Sequence, residues 1–259
     1  MQTLAGRVCV FAGASGGDGV AAAKALCAEG MQVVMMTHQP AQAQALLEEI
    51  AAEALPGGCA AYQDGNAQTP PVSDEEVFRQ IYERYGSIDV IISNTGGDGF
   101  EDSIDTVDRD TLLHEVNHLL GGSYGMLKCA LPYLRKSKAP RVIFMTTVEG
   151  ARGGRLESFT NAVAKGAVLA LTRNCAARLA AEGITVNCIE KGAIQRLPHN
   201  GPAHSGPPDK DTAAWLPYIP AGRLGTPQDL AQAICFLASE ETAYITGTML
   251  DVSGGLSLV

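Results

Sequence analysis

Short apolar runs rich in β-branched residues alternate with helix-length amphipathic stretches along the whole chain. Val8 to Phe11, Val33 to Met36, Val90 to Ile92, Val142 to Met145 and Ile184 to Ile189 read as strands, each too short for a helix and each bounded by polar or turn-forming residues. Between them, Ala21 to Glu29 is a helical pattern that stops at Gly30, and Gln42 to Ala54 is another that stops before Pro56. Strand and helix in strict alternation need crossover connections between parallel strands, so the expected fold is α/β: a Rossmann-type doubly wound parallel sheet of about seven strands in a single domain, with helices on both faces. One stretch, Leu197 to Gly225, has neither period. It collects most of the late Pro and Gly residues and reads as a lid-like segment over a substrate.

Composition narrows the partners. The 259 residues are 46% hydrophobic and 18% charged, ordinary values for a globular protein and far from those of collagen or disordered chains. Nineteen basic against 28 acidic residues leave a net charge of −9, which lacks the positive field that phosphate-backbone binding requires, so nucleic acid is excluded as a partner. Seven cysteines are scattered without a Cys-x-x-Cys pair and read as buried thiols. No run of about 18 apolar residues and no basic-then-apolar leader is present, so the expectation is a cytoplasmic protein without a membrane partner.

The first strand runs into Ala12-Gly13-Ala14-Ser15-Gly16-Gly17-Asp18-Gly19 and then a helix. Glycines at such a junction let the backbone turn sharply and approach a pyrophosphate, whose charge rests on the helix N-terminus. No Gly-Lys-Ser/Thr follows, which disfavours a nucleoside triphosphatase. At the tip of the second strand, Met36-Thr37-His38 offers no carboxylate for the ribose 2′-hydroxyl of NAD, which inclines the cofactor choice to NADP over NAD.

With Gly13, Gly17 and Gly19 in that spacing, Ser93-Asn94-Thr95-Gly96 after the fourth strand, and Asn161-x-x-x-Lys165 opening a helix, the chain resembles the short-chain dehydrogenase/reductase family nearly end to end. The resemblance implies cofactor contacts from Gly13, Ser15, Gly16, Gly17, Gly19, Thr37, His38, Asp64, Asn94, Gly96, Lys165, Gly192 and Ile194. Asp64 matches the acidic contact to the adenine ring. It also implies catalytic roles for Asn117 on a helix, for Thr147 in the catalytic serine position and for Lys165. Asp251-Val-Ser-Gly-Gly255 matches the closing strand and turn. By analogy the chain assembles as a homotetramer or dimer around a small-molecule substrate.

The departures bear on function. The family's catalytic tyrosine position is Asn161, and an amide cannot exchange a proton near neutral pH as a phenol beside an ammonium can. The family's Pro-Gly after the sixth strand is Lys191-Gly192, and the threonine that follows it is Arg196; Lys191 and Arg196 read either as an anion clamp or as solvated charges. The apolar residue between the last two glycines of the loop is Asp18, a carboxylate placed to compete with phosphates for the helix amides. Glu149, just after the fifth strand, falls where the similar dienoyl-CoA reductases carry a replacement acid; it reads as that acid or as a solvated or Arg152-paired glutamate.

Two functions from different classes follow. One is a nicotinamide-dependent oxidoreductase acting on a carbonyl/alcohol or a conjugated enoyl substrate, with its proton from Glu149, water or Lys165. The other is a catalytically silent subunit partnering an active relative. A third pattern competes locally: His114-Glu115-Val116-Asn117-His118 spells His-Glu-x-x-His, with two imidazoles one helical turn apart. The third-ligand position of the extended motif is Tyr124, so no metal is expected and both histidines read as surface or subunit-interface residues. Trp215, the single tryptophan, reads as an anchor of the late loop.

Overall fold

Odd and even strand positions bury two different cores, one on each face of a single sheet. In the computed structural model, which describes residues 4–36, 46–48, 50, 59–63, 74–96, 103–154, 158–195 and 214–258, seven parallel strands run in the order β3-β2-β1-β4-β5-β6-β7. They are β1 (Val8–Ala12), β2 (Gln32–Met36), β3 (Cys59–Gln63), β4 (Val90–Ser93), β5 (Arg141–Thr147), β6 (Thr185–Lys191) and β7 (Met249–Val252). Cys9, Phe11, Val33, Met35, Ile92, Met145 and Ile189 face one layer, formed by α1 (Gly17–Ala28) and α7 (Pro227–Ala238). Val8, Val10, Val34, Ile91, Phe144 and Cys188 face the other, formed by α2 (Asp74–Tyr85), α4 (Gly122–Leu134) and α6 (Phe159–Leu179). Side chains alternate across a strand, so central strands buried on both faces must be apolar at nearly every position. In β5 all seven residues are buried, and its central four, Val142 to Met145, are apolar.

The five predicted strands are present, with ends shifted by a residue or two. β3 was not among them, because Cys-Ala-Ala-Tyr-Gln has no β-branched residue to signal a strand. α1 begins at Gly17, four residues before the predicted Ala21, since glycines on the loop already take helical geometry. Of the predicted helix Gln42 to Ala54, only 46–48 and 50 are described, and these are helical. Between α3 (Arg109–Val116) and α4 the chain passes through a π-helical turn at Asn117–Gly121. α5 (Val148–Arg152) is a single short helix that leaves β5 directly.

The strand order reverses between β1 and β4, on either side of which the chain winds in opposite directions. The opposite, amino-terminal edge is closed by buried polar groups. The Asp89 carboxylate accepts from the Val8 amide at 2.8 Å and from the Ser87 and Ser137 hydroxyls at 2.9 and 2.6 Å. Arg141 donates to the carbonyls of Ser239, Pro140 and Glu240, and burial pushes its guanidinium down to about 10. Of the described thiols Cys9, Cys27, Cys129 and Cys188 are buried, while Cys175 and Cys235 are half-buried, against the expectation that all are buried; burial pushes Cys188 up to about 12. Among the described residues no helix is long and apolar enough to cross a membrane.

Replacing Asp89 by Ala removes three hydrogen bonds and leaves the buried Val8 amide bare. The expected loss is about 2–4 kcal/mol of folding stability, read as a lower urea midpoint with an unchanged slope.

Candidate active site at the carboxyl edge of the sheet

The glycine loop owes its shape to β4. Gly13 has φ +76, and a Cβ built on it would lie 2.2 Å from the backbone oxygen of Asn94. Asn94 closes the contact from its own side, its amide donating to the Ala12 carbonyl at 2.9 Å and its side chain to the Gly13 carbonyl at 3.3 Å. Gly19 is equally confined, its Cβ position 2.6 Å from Ala14 Cα. Gly16 and Gly17 are different: a Cβ on either meets nothing of the protein within 4 Å. Two glycines are therefore demanded by packing, and two leave open the space above the first turn of α1, whose amides lack intrahelical partners.

Beside this loop, the end of β5 and the start of α6 are locked together. Thr146 Oγ1 donates to the Lys165 carbonyl at 2.9 Å. α5 lies against α6 so closely that a Cβ on Gly150 would stand 2.9 Å from Lys165 Cβ, and one on Gly166 would stand 2.8 Å from the Gly150 carbonyl oxygen. This contact buries Thr147, Glu149 and Lys165, each under 8% exposed. Thr147 caps α5 by accepting from the Gly150 amide at 3.3 Å. The Lys165 ammonium donates to the Thr95 carbonyl at 2.7 Å and the Met145 carbonyl at 3.2 Å, which sets it at the carboxyl ends of β4 and β5. Asn161 lies one helical turn before Lys165 in the first turn of α6, with its side-chain oxygen buried.

Three expectations need correction. Glu149 is neither solvated nor on a loop: it is 6% exposed on α5, folded back so that its carboxyl fills the space where Gly154 would otherwise carry a side chain, 2.1 Å from that Cβ position. Asp18 does not stand bare at the N-terminus of α1, and Lys191 is neither an isolated solvated charge nor an open clamp; the two form an ion pair at 2.9 Å. Asn117, to which the resemblance gives a catalytic role, lies in the π-turn before α4. The π-turn leaves it exposed in a shallow apolar groove of about 570 Å³ with Leu113, Leu120 and Tyr124.

The remaining residues divide by place. Ser15 lies on the glycine loop, and Gly96 is exposed at the end of β4. A Cβ on Gly192 would stand 2.7 Å from the Cα of Ser253, and Ile194 bridges to Gly225 just beyond β6. Thr37, His38, Asp64 and Arg196 lie outside the described residues, as does residue range 197–213 of the predicted lid. The described end of that segment is tied down, with Trp215 packed on Val148, Ile219 and Leu256. His114 is exposed and His118 half-buried, with Glu115 between them buried at 1%. Among the described residues no group of three His, Cys, Asp or Glu side chains is placed to hold a metal. Sequence reading missed the Asp18–Lys191 pair, whose partners stand 173 positions apart, and the need for Gly154, whose lack of a side chain makes room for Glu149.

Gly13→Ala is expected to destabilise the fold by about 2–4 kcal/mol, combining left-handed backbone strain with the clash on Asn94. Gly17→Ala should leave thermal unfolding within a degree or two, because its Cβ enters open space at a helix N-terminus.

Comparison with known proteins agrees with this geometry. Residues 13–257 match the family model described as enoyl-(acyl carrier protein) reductase. The chain is 30% identical to the 3-oxoacyl-acyl-carrier-protein reductase FabG of Thermotoga maritima over 262 residues, covering 98% of both chains. It is 31% identical to FabG of Vibrio harveyi over 271 residues, covering both chains completely. The crystal structure of levodione reductase superposes with a TM-score of 0.85 at 24% identity, over 98% of this chain and 99% of that one, a likeness of fold. A match that runs from the glycine loop to the closing turn, on a sheet of this order, leaves one assignment: the chain belongs to the short-chain dehydrogenase/reductase family of oxidoreductases.

Proposed function

We propose that the protein is a nicotinamide-dependent oxidoreductase, preferring NADP(H) to NAD(H), that acts on the carbonyl or conjugated double bond of an acyl-type substrate with Glu149 in place of the family's tyrosine as proton donor. The observation that carries the reading is the open space over Gly16 and Gly17: the protein itself has no use for a missing side chain there, and an anionic ligand on the α1 amides does. The residues fit such a ligand. The loop from Gly13 to Gly19 with Ser15 would take the pyrophosphate, Thr37, His38 and Asp64 the adenosine half, and Asn94, Gly96, Lys165, Gly192 and Ile194 the nicotinamide half. The preference for NADP rests on Met36-Thr37-His38, which lacks the carboxylate that would repel a 2′-phosphate. When bound, the nicotinamide supplies or accepts a hydride.

The chain's own residues do the rest. Lys165, held by two carbonyls, presents a fixed ammonium at the carboxyl edge. The Thr147 hydroxyl accepts from the Gly150 amide and would donate to a substrate oxygen. Asn161 contributes no proton; its short amide leaves room where the family's phenol would stand. Glu149, two residues from Thr147 and shielded from bulk water, carries the only carboxylate on α5. The substrate class draws on the relatives, named as 3-oxoacyl-acyl-carrier-protein reductases, and on the family description as enoyl reductases. Assembly as a homo-oligomer would cover the exposed Leu113 and Tyr124.

The alternative, a silent subunit that keeps the scaffold and partners an active relative, is favoured by Asn161 itself.

Gly17→Val is expected to keep the fold and abolish NADPH binding by calorimetry; unchanged affinity would place the cofactor elsewhere. Glu149→Gln should lower turnover of 3-oxoacyl or enoyl thioesters by about 10²-fold with little change in KM. If the native protein binds NADPH but turns over neither class, while Asn161→Tyr acquires ketone reduction, the silent-subunit reading replaces this one. Good turnover of simple ketones that ignores both Glu149→Gln and Lys165→Ala would misplace the site altogether.

A further inference from the structure

The Asp18–Lys191 ion pair joins the first turn of α1 to the last residue of β6. In the strand order β1-β4-β5-β6 the strands that lead to these anchors, β1 and β6, have two others between them and lie about 14 Å apart at ordinary strand spacing. Ile189 faces the α1 layer, so Lys191, two residues on, leaves the strand on that same side. The bridge therefore crosses the carboxyl edge of the sheet above β4 and β5. Its side chains are 29% and 21% exposed, enough access for solvent or ligand to compete for either charge.

A dinucleotide in a doubly wound sheet lies across the reversal point, with its pyrophosphate on the first helix and one nucleoside half to each side. Here the reversal lies between β1 and β4, so one half extends over β2 and β3 and the other over β4, β5 and β6. The ion pair spans only the second of these. We infer that Asp18 and Lys191 form a latch across the second nucleoside subsite, which a full dinucleotide must open and a ligand ending at the first ribose-diphosphate half does not meet. This rests on the dinucleotide-binding reading above and adds a specificity device to it. Opening the latch separates two charges, and Lys191 is then free to turn toward whatever anion occupies the edge of the site.

The test compares ligands with and without the second half: NADPH against 2′-phospho-ADP, and NADH against ADP, by titration calorimetry. Each single variant shifts both members of a pair, since Asp18→Asn leaves a free ammonium and Lys191→Met a bare carboxylate beside the pyrophosphate. The ratio of affinities within a pair isolates the latch. In the double variant Asp18→Asn with Lys191→Met, that ratio should rise roughly three- to ten-fold in favour of the dinucleotide. The charge-swapped variant, Asp18→Lys with Lys191→Asp, should return it toward the native value. A thermal midpoint within a few degrees of native shows that each variant is folded. Both ligands binding with an unchanged ratio in the double variant overturns the latch and leaves the dinucleotide reading intact. Failure of all four ligands to bind any variant overturns the dinucleotide reading and the latch together.

Discussion

The close approach of two backbones, Gly13 on the loop after β1 and Asn94 at the end of β4, is the constraint on which the carboxyl edge depends. A Cβ at Gly13 would stand 2.2 Å from the Asn94 oxygen, and the Asn94 side chain returns a hydrogen bond to the Gly13 carbonyl. The contact joins the strands between which the sheet changes winding direction, and it aims the first turn of α1 into the crevice that the reversal creates. Gly16 and Gly17 then stand over empty space because Gly13 and Gly19 have already absorbed the turn. The same neighbourhood orients the ammonium of Lys165, which donates to the carbonyl of Thr95, the residue after Asn94.

A second close approach, α5 against α6, does for the reacting end what the first does for the loop. Gly150 and Gly166 allow the two helices to meet backbone to backbone, and the Thr146 hydroxyl ties β5 to α6 at Lys165. Polar side chains that leave a strand end would ordinarily be solvated. Here Thr147, Glu149 and Lys165 are buried together, in surroundings where a charge or dipole acts through a lower dielectric than water. The family membership and the buried trio point to the same edge of the sheet. Asn161 lies at the same edge, in the first turn of α6.

Charge placement follows a consistent division between the two ends of the sheet. At the amino edge Asp89, Arg7 and Arg141 are satisfied mainly by backbone and hydroxyl partners, which seals that end. At the carboxyl edge the charged groups include Asp18, Lys191, Lys165 and Glu149, and the first two remain accessible to solvent. The closed end fixes strand ends; the open end keeps groups whose partners can be exchanged.

The fold was legible because it follows from local rules. Continuous apolar runs such as Val-Ile-Phe-Met mark central strands buried on both faces, and a glycine-rich turn between strand and helix marks the winding point. The places of Asn161, Thr147 and Lys165 were likewise readable, since they attach to spacing along one helix and one strand end. Strand β3 was hidden because Cys-Ala-Ala-Tyr-Gln has no β-branched residue, and the π-turn at Asn117 because it changes one hydrogen-bond step without altering composition. What only the tertiary structure decided was the company of the charges. Asp18 looked like an obstacle to phosphate until the sheet order brought Lys191 across β4 and β5 to meet it, and Glu149 looked solvated until Gly154 proved to leave it a buried place. Hydrophobic period is a property of neighbours in sequence; the partner of a charge is a property of neighbours in space, and 173 residues separate the two kinds of neighbour in this chain.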